Sequence, residues 1–235
     1  KGLKEHVSRG EERTIIGAVG DERVFRPNEL ERLPDVERVV RVLNDWKIIS
    51  READEEDSRI VIRGVIFGGA KRLDITADTD RVQKADAVFV DPFYLPSRPY
   101  EKVDEQRENS RVRAIVQEIS DLQKTGKPVI VRIRDVRQID EALSAGADIL
   151  YLGGSMMTNR TLLDEVGRLN TPVVLCKDKH HRVDDWLVAA EHIALRGNSH
   201  IMLGEAGTLS FEPEHAYRLD VDAIVRVRKV CRLPV

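Results

Sequence analysis

The second half of the chain alternates short apolar strands with amphipathic helices, and this rhythm restricts the fold more than any other feature. The strand-like segments PVIVRIRD (128–135) and PVVLCK (172–177) are followed by the helical stretches RQIDEALSAG (137–146) and RVDDWLVAAEHIALRG (182–197). The pattern recurs roughly every 20–30 residues, which is the spacing of βαβ units. It predicts parallel strands joined by right-handed helical crossovers.

Six strands of this kind follow residue 71, and they begin with RLDITAD (72–78) and ADAVFVDPF (85–93). A closed TIM-type (β/α) barrel has eight strands. The sequence therefore predicts an α/β fold of this type that is incomplete in this chain. Only a handful of residues separate the first two strands, whereas a parallel crossover needs about a dozen. Either the first helix is nearly absent or these two strands connect differently.

The first part of the chain has a different character. We predict that residues 1–58 form a small α+β domain and that residues 59–235 form the barrel. Thr14–Val19 is rich in strand-forming residues. The segment RIVIRGVIFGG (59–69) alternates apolar and polar residues around Gly64, which predicts a β-hairpin that leads into the barrel.

Composition indicates a water-soluble globular protein and argues against some partners. The chain has 235 residues, 41% of them hydrophobic and 34% charged, with a formal net charge of -3. This balance gives no electrostatic reason to expect binding to nucleic acid or to an anionic membrane. The two cysteines, Cys176 and Cys231, lie far apart in the sequence. We interpret them as free thiols of a cytoplasmic protein.

Charged residues near the strand ends leave alternatives open. Arg132 and Arg134 alternate with apolar residues on one strand. They form either a new anion site inside the barrel or a structural ion pair with an acid such as Glu205, and we favour the ion pair. Asp74 and Asp78 are ambiguous in the same way.

Cys176 and several histidines also have two interpretations. Cys176 lies at a strand end beside Lys177, which would favour a thiolate nucleophile. Without a clear base partner, a small buried apolar side chain is the better interpretation. A new metal site is conceivable from four residues: His180, His181, His200 and Glu205. Adjacent histidines usually point apart, so we favour a solvated loop.

Several segments resemble the type I-beta family of 3-deoxy-D-arabino-heptulosonate 7-phosphate (DAHP) synthases. HVSRGEERTIIGAVGDER (6–23) resembles the ferredoxin-like regulatory domain of that family, and VIRGVIFGG (61–69) resembles the approach to its barrel. The segments at 147–178 and 184–212 are similar to its central barrel motifs in order and spacing. The resemblance implies a ferredoxin-like domain followed by a (β/α) barrel.

The same resemblance implies a reaction and the residues that it requires. The family condenses phosphoenolpyruvate with erythrose 4-phosphate at a divalent metal, the first step of aromatic amino-acid biosynthesis. Its Lys and Arg residues clamp phosphate and carboxylate. Carried over by position, the Lys of the family's K-R-G motif falls on Cys176, the Arg of G-A-R-N on Ser155, and the Arg of E-R-G on Ala206.

Other family positions are altered too. The K-P-R-T-S loop falls on residues 94–98, which end at Arg98, and an inward Glu of the third strand falls on Arg132. The metal-binding Cys of the family follows the first barrel strand, where this chain reads ITADTD (75–80), and the metal His and two acids fall beyond Val235. We therefore expect no catalytic residue and no bound metal or other cofactor.

We predict a DAHP synthase-like protein that has lost the condensation and acts in binding, regulation or assembly. The alternatives are a working synthase, an aldol-type transferase, and a barrel repurposed around a new ligand site. The candidate ligand-binding residues are Arg132, Lys177, Glu205 and Arg98. The expected partners are a second copy of the chain or another protein, together with a small anionic ligand.

Overall fold

The computed structural model describes residues 4–9, 14–19, 27–39, 44–69, 72–94, 116–210 and 217–235. At the N-terminus, strands β1 (Lys4–Arg9) and β2 (Thr14–Val19) form an antiparallel hairpin, followed by the short helix α1 (Pro27–Leu30). Strand β2 has the predicted bounds. Strand β1 was not anticipated, because its sequence is mostly polar and lacks the alternation of apolar residues that marks a strand.

A hairpin and a six-stranded sheet follow. The hairpin pairs β3 (Ile60–Ile62) with β4 (Val65–Phe67) through a turn at Arg63 and Gly64, both with positive φ. This is the backbone conformation that tight hairpins require. The sheet contains β5 (Ile75–Thr76), β6 (Ala87–Val90), β7 (Val129–Arg132), β8 (Ile149–Leu152), β9 (Val173–Lys177) and β10 (Ile201–Glu205).

The sheet has the topology that the sequence rhythm predicts. Its strands run parallel in the order β10-β9-β8-β7-β6-β5, which is simply the chain order. Sequential order without a reversal is typical of a (β/α) barrel and differs from an open sheet with a switch point. The sheet is the larger part of an incomplete barrel, as predicted.

The helices pack on one face of this sheet, which we call the helix face. Residues 116–123 form α2, and the later helices are α3 (Arg137–Ala145), α4 (Arg160–Gly167), α5 (Val183–Ala194) and α6 (Val221–Val230). Each contributes buried apolar residues to one core cluster, which also contains Val131, Leu150 and Leu175 from the strands. Trp186 on α5 also donates its indole N–H to the Leu175 carbonyl at 2.9 Å.

The opposite face, which we call the inner face, is covered at one end by the β3–β4 hairpin. Ile60, Ile62 and Phe67 pack against strand residues such as Ile130 and Ile149. These strand residues lie at or near the N-terminal ends of their strands. The hairpin therefore closes the bottom of the barrel and leaves the C-terminal strand ends open, and we call that open end the mouth.

The connection between β5 and β6 explains the short spacing seen in the sequence. The two strands pair in parallel, and a 3-10 helix (Thr79–Lys84) replaces a full crossover helix. Asp78 caps this helix by accepting a hydrogen bond from the Asp80 N–H at 2.9 Å. The first of the two alternatives is correct: the crossover helix is reduced to a minimum.

The segment from Trp46 to Ser58 lies against the barrel. Trp46 and Ile49 are buried in the main core, and Ser50 forms an isolated antiparallel bridge with Cys231. The Glu191 carboxylate of α5 accepts the N–H of Ile48 at 2.9 Å. The domain boundary at residue 58 stays a prediction. These contacts attach the last residues of the predicted first domain to the barrel.

A short antiparallel pair, β11 (Thr208–Leu209) with β12 (Tyr217–Arg218), follows β10. Both cysteines are buried free thiols, as the sequence suggested. Within the described ranges, no helix is long and apolar enough to cross a membrane.

Candidate functional site

The mouth of the barrel collects polar residues that follow or end the parallel strands. Along each strand, side chains alternate between the helix face and the inner face. Because Phe89, Ile130 and Ile149 belong to the inner cluster, residues an even number of positions further along share that face. This alternation places Asp91, Arg132, Arg134 and Tyr151 together on the inner side of the mouth.

An acid holds two arginines there. Arg134 approaches Asp91 with both terminal nitrogens, and its Nη2 lies 2.5 Å from Oδ2. Arg132 lies further away, with its Nη1 3.6 Å from the same Oδ2. Both arginines therefore form the predicted ion pair with an acid, although Glu205, the acid named as an example, does not take part. The acid is Asp91, and Arg134 makes the closer contact because its fork reaches both carboxylate oxygens.

Tyr151 provides an aromatic surface beside this group. The Arg132 guanidinium carbon lies 5.7 Å from the centre of the Tyr151 ring, within range of a cation–π interaction. Phe89 packs edge-on against the same ring, with centroids 5.1 Å apart. Burial raises the pKa of the Tyr151 hydroxyl, so this group is a neutral hydrogen-bond donor near pH 7.

Cys176 lies on the inner face next to Tyr151. Its thiol is buried and interacts with the Tyr151 hydroxyl through a hydrogen bond. Burial raises the pKa of the thiol, an effect larger than the opposing influence of that hydrogen bond. This environment disfavours a thiolate, so the structure supports the interpretation of Cys176 as a small buried side chain.

Lys177, the next residue along β9, points to the opposite face. Its side chain is 2% exposed, and its Nζ lies 3.5 Å from the Asp220 carboxylate and 4.0 Å from that of Glu205. Asp220 caps helix α6 by accepting the Ala223 N–H at 2.9 Å, and Glu205 accepts the N–H of Gly207 at 2.8 Å. Lys177 and Glu205 thus belong to a structural network that positions α6, away from the inner side of the mouth.

The remaining candidate positions fall in different places. Ser155 is exposed in a 3-10 helix (Gly154–Thr158) after β8, and Ala206 is exposed directly after β10. Neither side chain carries a charge. Arg98 and most of the loop at residues 94–98 lie outside the described residues.

Sequence reasoning missed Asp91, Tyr151 and Asp220. Asp91 directly follows β6 and has the parity of Phe89, so the alternation along that strand was a usable signal. Tyr151 reads as one more apolar residue of ADILYLGG. Asp220 precedes a helical run as a cap does, but its contact with Lys177 depends on tertiary packing.

Comparisons with known proteins identify the family. The sequence model of the DAHP synthetase I family matches residues 102–235, more than half of the chain. The chain belongs to this family. The model of the DAHP synthase ferredoxin-like domain also matches, over residues 1–44. Both the predicted family and the predicted order of its two domains are confirmed.

Comparisons with individual proteins of known sequence or structure agree with this family assignment. The phospho-2-dehydro-3-deoxyheptonate aldolase of Thermotoga maritima is 30% identical, and the match covers 99% of this chain and 71% of that protein. A crystal structure of phospho-2-dehydro-3-deoxyheptonate aldolase (DAHP synthase) from the same organism has a TM-score of 0.71 at 28% identity, covering 99% of this chain and 70% of that one.

A truncated form of the 3-deoxy-D-arabino-heptulosonate 7-phosphate synthase of T. maritima is similar in fold, with a TM-score of 0.67 and 22% identity. It covers 81% of this chain and 72% of that one. None of these comparisons demonstrates a loss of the condensation. The name of the 30% identical relative favours our alternative, a working synthase, over the predicted loss.

The divalent metal of DAHP synthases does not fit the donor side chains found in the described ranges, where no three His, Cys, Asp or Glu residues are placed to hold an ion. The conceivable histidine site is excluded by distance. His200 precedes β10 beside the start of β9, whereas His180 and His181 follow the end of β9. At about 3.3 Å per residue, the strand separates them by roughly 16 Å.

Proposed function

We propose that this DAHP synthase family member has lost the condensation of phosphoenolpyruvate with erythrose 4-phosphate and acts as a binding, regulatory or assembly protein. The observation that carries the proposal is the geometry at the end of β9. The residue on the inner face there is the neutral Cys176, and the adjacent cation, Lys177, points to the helix face and is paired with Asp220. Lys177 therefore cannot replace a clamp on the inner face.

The three neutral residues at the clamp positions each remove a contact with the phosphate or carboxylate of a substrate. A charge-assisted hydrogen bond to a phosphate or carboxylate contributes about 1.5–3 kcal/mol. Ser155 and Ala206 are uncharged and exposed, and Cys176 is uncharged and buried. Three lost clamps would together weaken binding by several kcal/mol, which is far more than a change in substrate preference requires.

The test is a condensation assay. Purified protein is incubated with phosphoenolpyruvate, erythrose 4-phosphate and manganese, and the release of phosphate and the formation of the seven-carbon product are measured. The T. maritima aldolase serves as the positive control under the same conditions. We expect no product above background. Product formation in proportion to protein concentration would overturn the proposal.

The second candidate function is DAHP synthesis itself. It is favoured by the 30% identity to a protein named for that reaction, over 99% of this chain. If it is correct, the protein must consume phosphoenolpyruvate only when erythrose 4-phosphate is present. Following both substrates by phosphorus NMR in the same assay separates this function from a simple phosphatase activity.

A cytoplasmic location accompanies the proposal. Cys176 and Cys231 are free thiols in the core, which suits a reducing compartment. The family acts at the first step of aromatic biosynthesis. That step uses phosphorylated intermediates of central metabolism, which agrees with a cytoplasmic location.

A further inference from the structure

The inner side of the mouth contains an arginine with one unused hydrogen-bond donor. Arg132 ends β7, and about a third of its side chain, 32%, is exposed. Its Nε is buried and has no hydrogen-bond partner among the residues that the structure describes. Buried donors are nearly always paired, and an unpaired one costs about 1–3 kcal/mol. A folded protein tolerates such a group most readily where a ligand completes it.

The neighbouring acid does not complete it, because that acid is engaged elsewhere. Asp91 receives both terminal nitrogens of Arg134, while its nearest contact with Arg132 is 3.6 Å, beyond a normal hydrogen bond. One carboxylate thus faces two guanidinium groups. The group of three carries one net positive charge on the inner side of the mouth.

Two side chains that lie near Arg132 on the inner face carry no charge. Tyr151 and Cys176 both remain neutral near pH 7, because burial raises the pKa of each. Neither side chain therefore cancels the positive charge of the group formed by Arg132, Arg134 and Asp91.

We propose that Arg132 and Tyr151 form a binding site for a small carboxylate-bearing monoanion. The guanidinium, placed near the face of the Tyr151 ring, offers a planar fork that matches a carboxylate. The single net charge suits a monoanion better than a doubly charged phosphate. This site rests on the proposed function, because a carboxylate-bearing monoanion is the class of ligand that we expect the mouth to bind once the condensation has been lost.

The experiment is a chemical-shift titration of ¹⁵N-labelled protein with pyruvate, repeated with inorganic phosphate. We expect pyruvate to shift amides around β7 and β8, and Arg132→Gln to weaken binding at least tenfold, equivalent to about 1.4 kcal/mol. Arg137→Gln is the matched control, because it removes the same charge from an exposed site on α3 and should leave the affinity unchanged.

Other outcomes overturn the inference. Absence of pyruvate-induced shifts, equal affinity in Arg132→Gln and wild type, or tighter binding of phosphate than of pyruvate would each contradict it. Should Arg132→Gln fail to fold, Arg132→Lys keeps the charge and removes the planar fork, and it should also bind more weakly. The condensation assay is independent of this result: product formation refutes the proposed function, whereas an unresponsive titration refutes only the carboxylate site.

Discussion

At the scale of single residues, charge in this barrel is determined by the face to which a side chain points. Lys177 and Cys176 are neighbours in sequence, yet one belongs to the helix-face network around Asp220 and the other lies against Tyr151. Arg132 lies two positions before Arg134 on the same face. Its contact with Asp91 is longer, because the Asp91 carboxylate already contacts Arg134 with both oxygens. The chemistry of the mouth therefore follows from strand parity more than from residue type.

Restoring the family cations should not restore the condensation. We expect the triple variant Ser155→Arg, Cys176→Lys, Ala206→Arg to form no product in the assay with manganese. A lysine at position 176 would bury an ammonium close to Arg132, which disfavours its charged form. In addition, no metal-binding set of side chains exists in the described part of the chain. Product formation by this variant, but not by wild type, would mean that the three clamps alone were missing.

Cys231 should make stability depend on pH above neutrality. Burial raises the pKa of its thiol from 9.0 to about 11, so the folded protein retains a proton that the unfolded chain releases. The contribution to stability is complete below about pH 9 and is lost as the pH rises toward 11. The free energy of unfolding should fall by about 1–3 kcal/mol across this window.

The measurement is urea denaturation of wild type and Cys231→Ala at about pH 8 and pH 10.5. The variant loses packing contacts at both pH values, but we expect it to lack the part of the decline that belongs to the thiol. Equal declines in the two proteins would assign the whole effect to other groups, such as lysines and tyrosines.

At the scale of elements, helix α5 holds the segment from Trp46 to Ser58 against the barrel through hydrogen bonds. The Glu191 carboxylate is buried and accepts the N–H of Ile48 at 2.9 Å and that of Ile49 at 3.3 Å. Arg232 donates to Asp54 at 3.1 Å and so fixes the far end of the same segment. These contacts connect parts of the chain that are more than a hundred residues apart.

Removing the Glu191 carboxylate should destabilise the protein. We expect Glu191→Ala to lower the free energy of unfolding by about 2–4 kcal/mol, because two backbone donors lose their acceptor in a buried site. Glu191→Gln keeps one acceptor oxygen and should cost less. The control is Glu141→Ala on the exposed face of α3. Urea denaturation measures all three, and a Glu191→Ala protein as stable as the control would contradict the assignment.

At the scale of the whole molecule, apolar surface remains uncovered around α6. The exposed residues include Leu219, Val221 and Val225, with Leu195 and Leu209 on other elements. Strand β5 ends the sheet on one side, whereas the β10 edge on the other side is partly covered, because the Leu203 N–H donates to the Pro234 carbonyl at 2.7 Å. A strand edge such as that of β5 and exposed apolar patches favour association.

We predict a homo-oligomer or a complex with a partner protein, burying upwards of about 1,000 Å² at a contact. Light scattering at micromolar concentration should give a mass above that of one chain. Val225→Glu, which places a charge on the exposed side of α6, should lower this mass without loss of helical signal. A monomeric wild type would exclude obligate self-association and leave the partner to be sought by co-purification.

The sequence by itself determined the elements and their order. The alternation of apolar strands with amphipathic helices predicts all six parallel strands, the β3–β4 hairpin and helices such as α3 and α5, because these patterns depend on residues close in the chain. Motif resemblance supplied the family, since segments such as 147–178 keep their order and spacing. The reduced crossover between β5 and β6 was visible as a short spacing, although its 3-10 form was not.

Only the tertiary structure decided which side chains meet. Arg132 pairs with Asp91 of the neighbouring strand and not with Glu205, because β7 lies beside β6 and Glu205 belongs to the helix face of β10. The histidines of the conceivable metal site lie at opposite ends of β9 and β10. Local periodicity fixes the face of each residue, whereas neighbours across the sheet depend on strand order and register, which are set by the packing of the whole core.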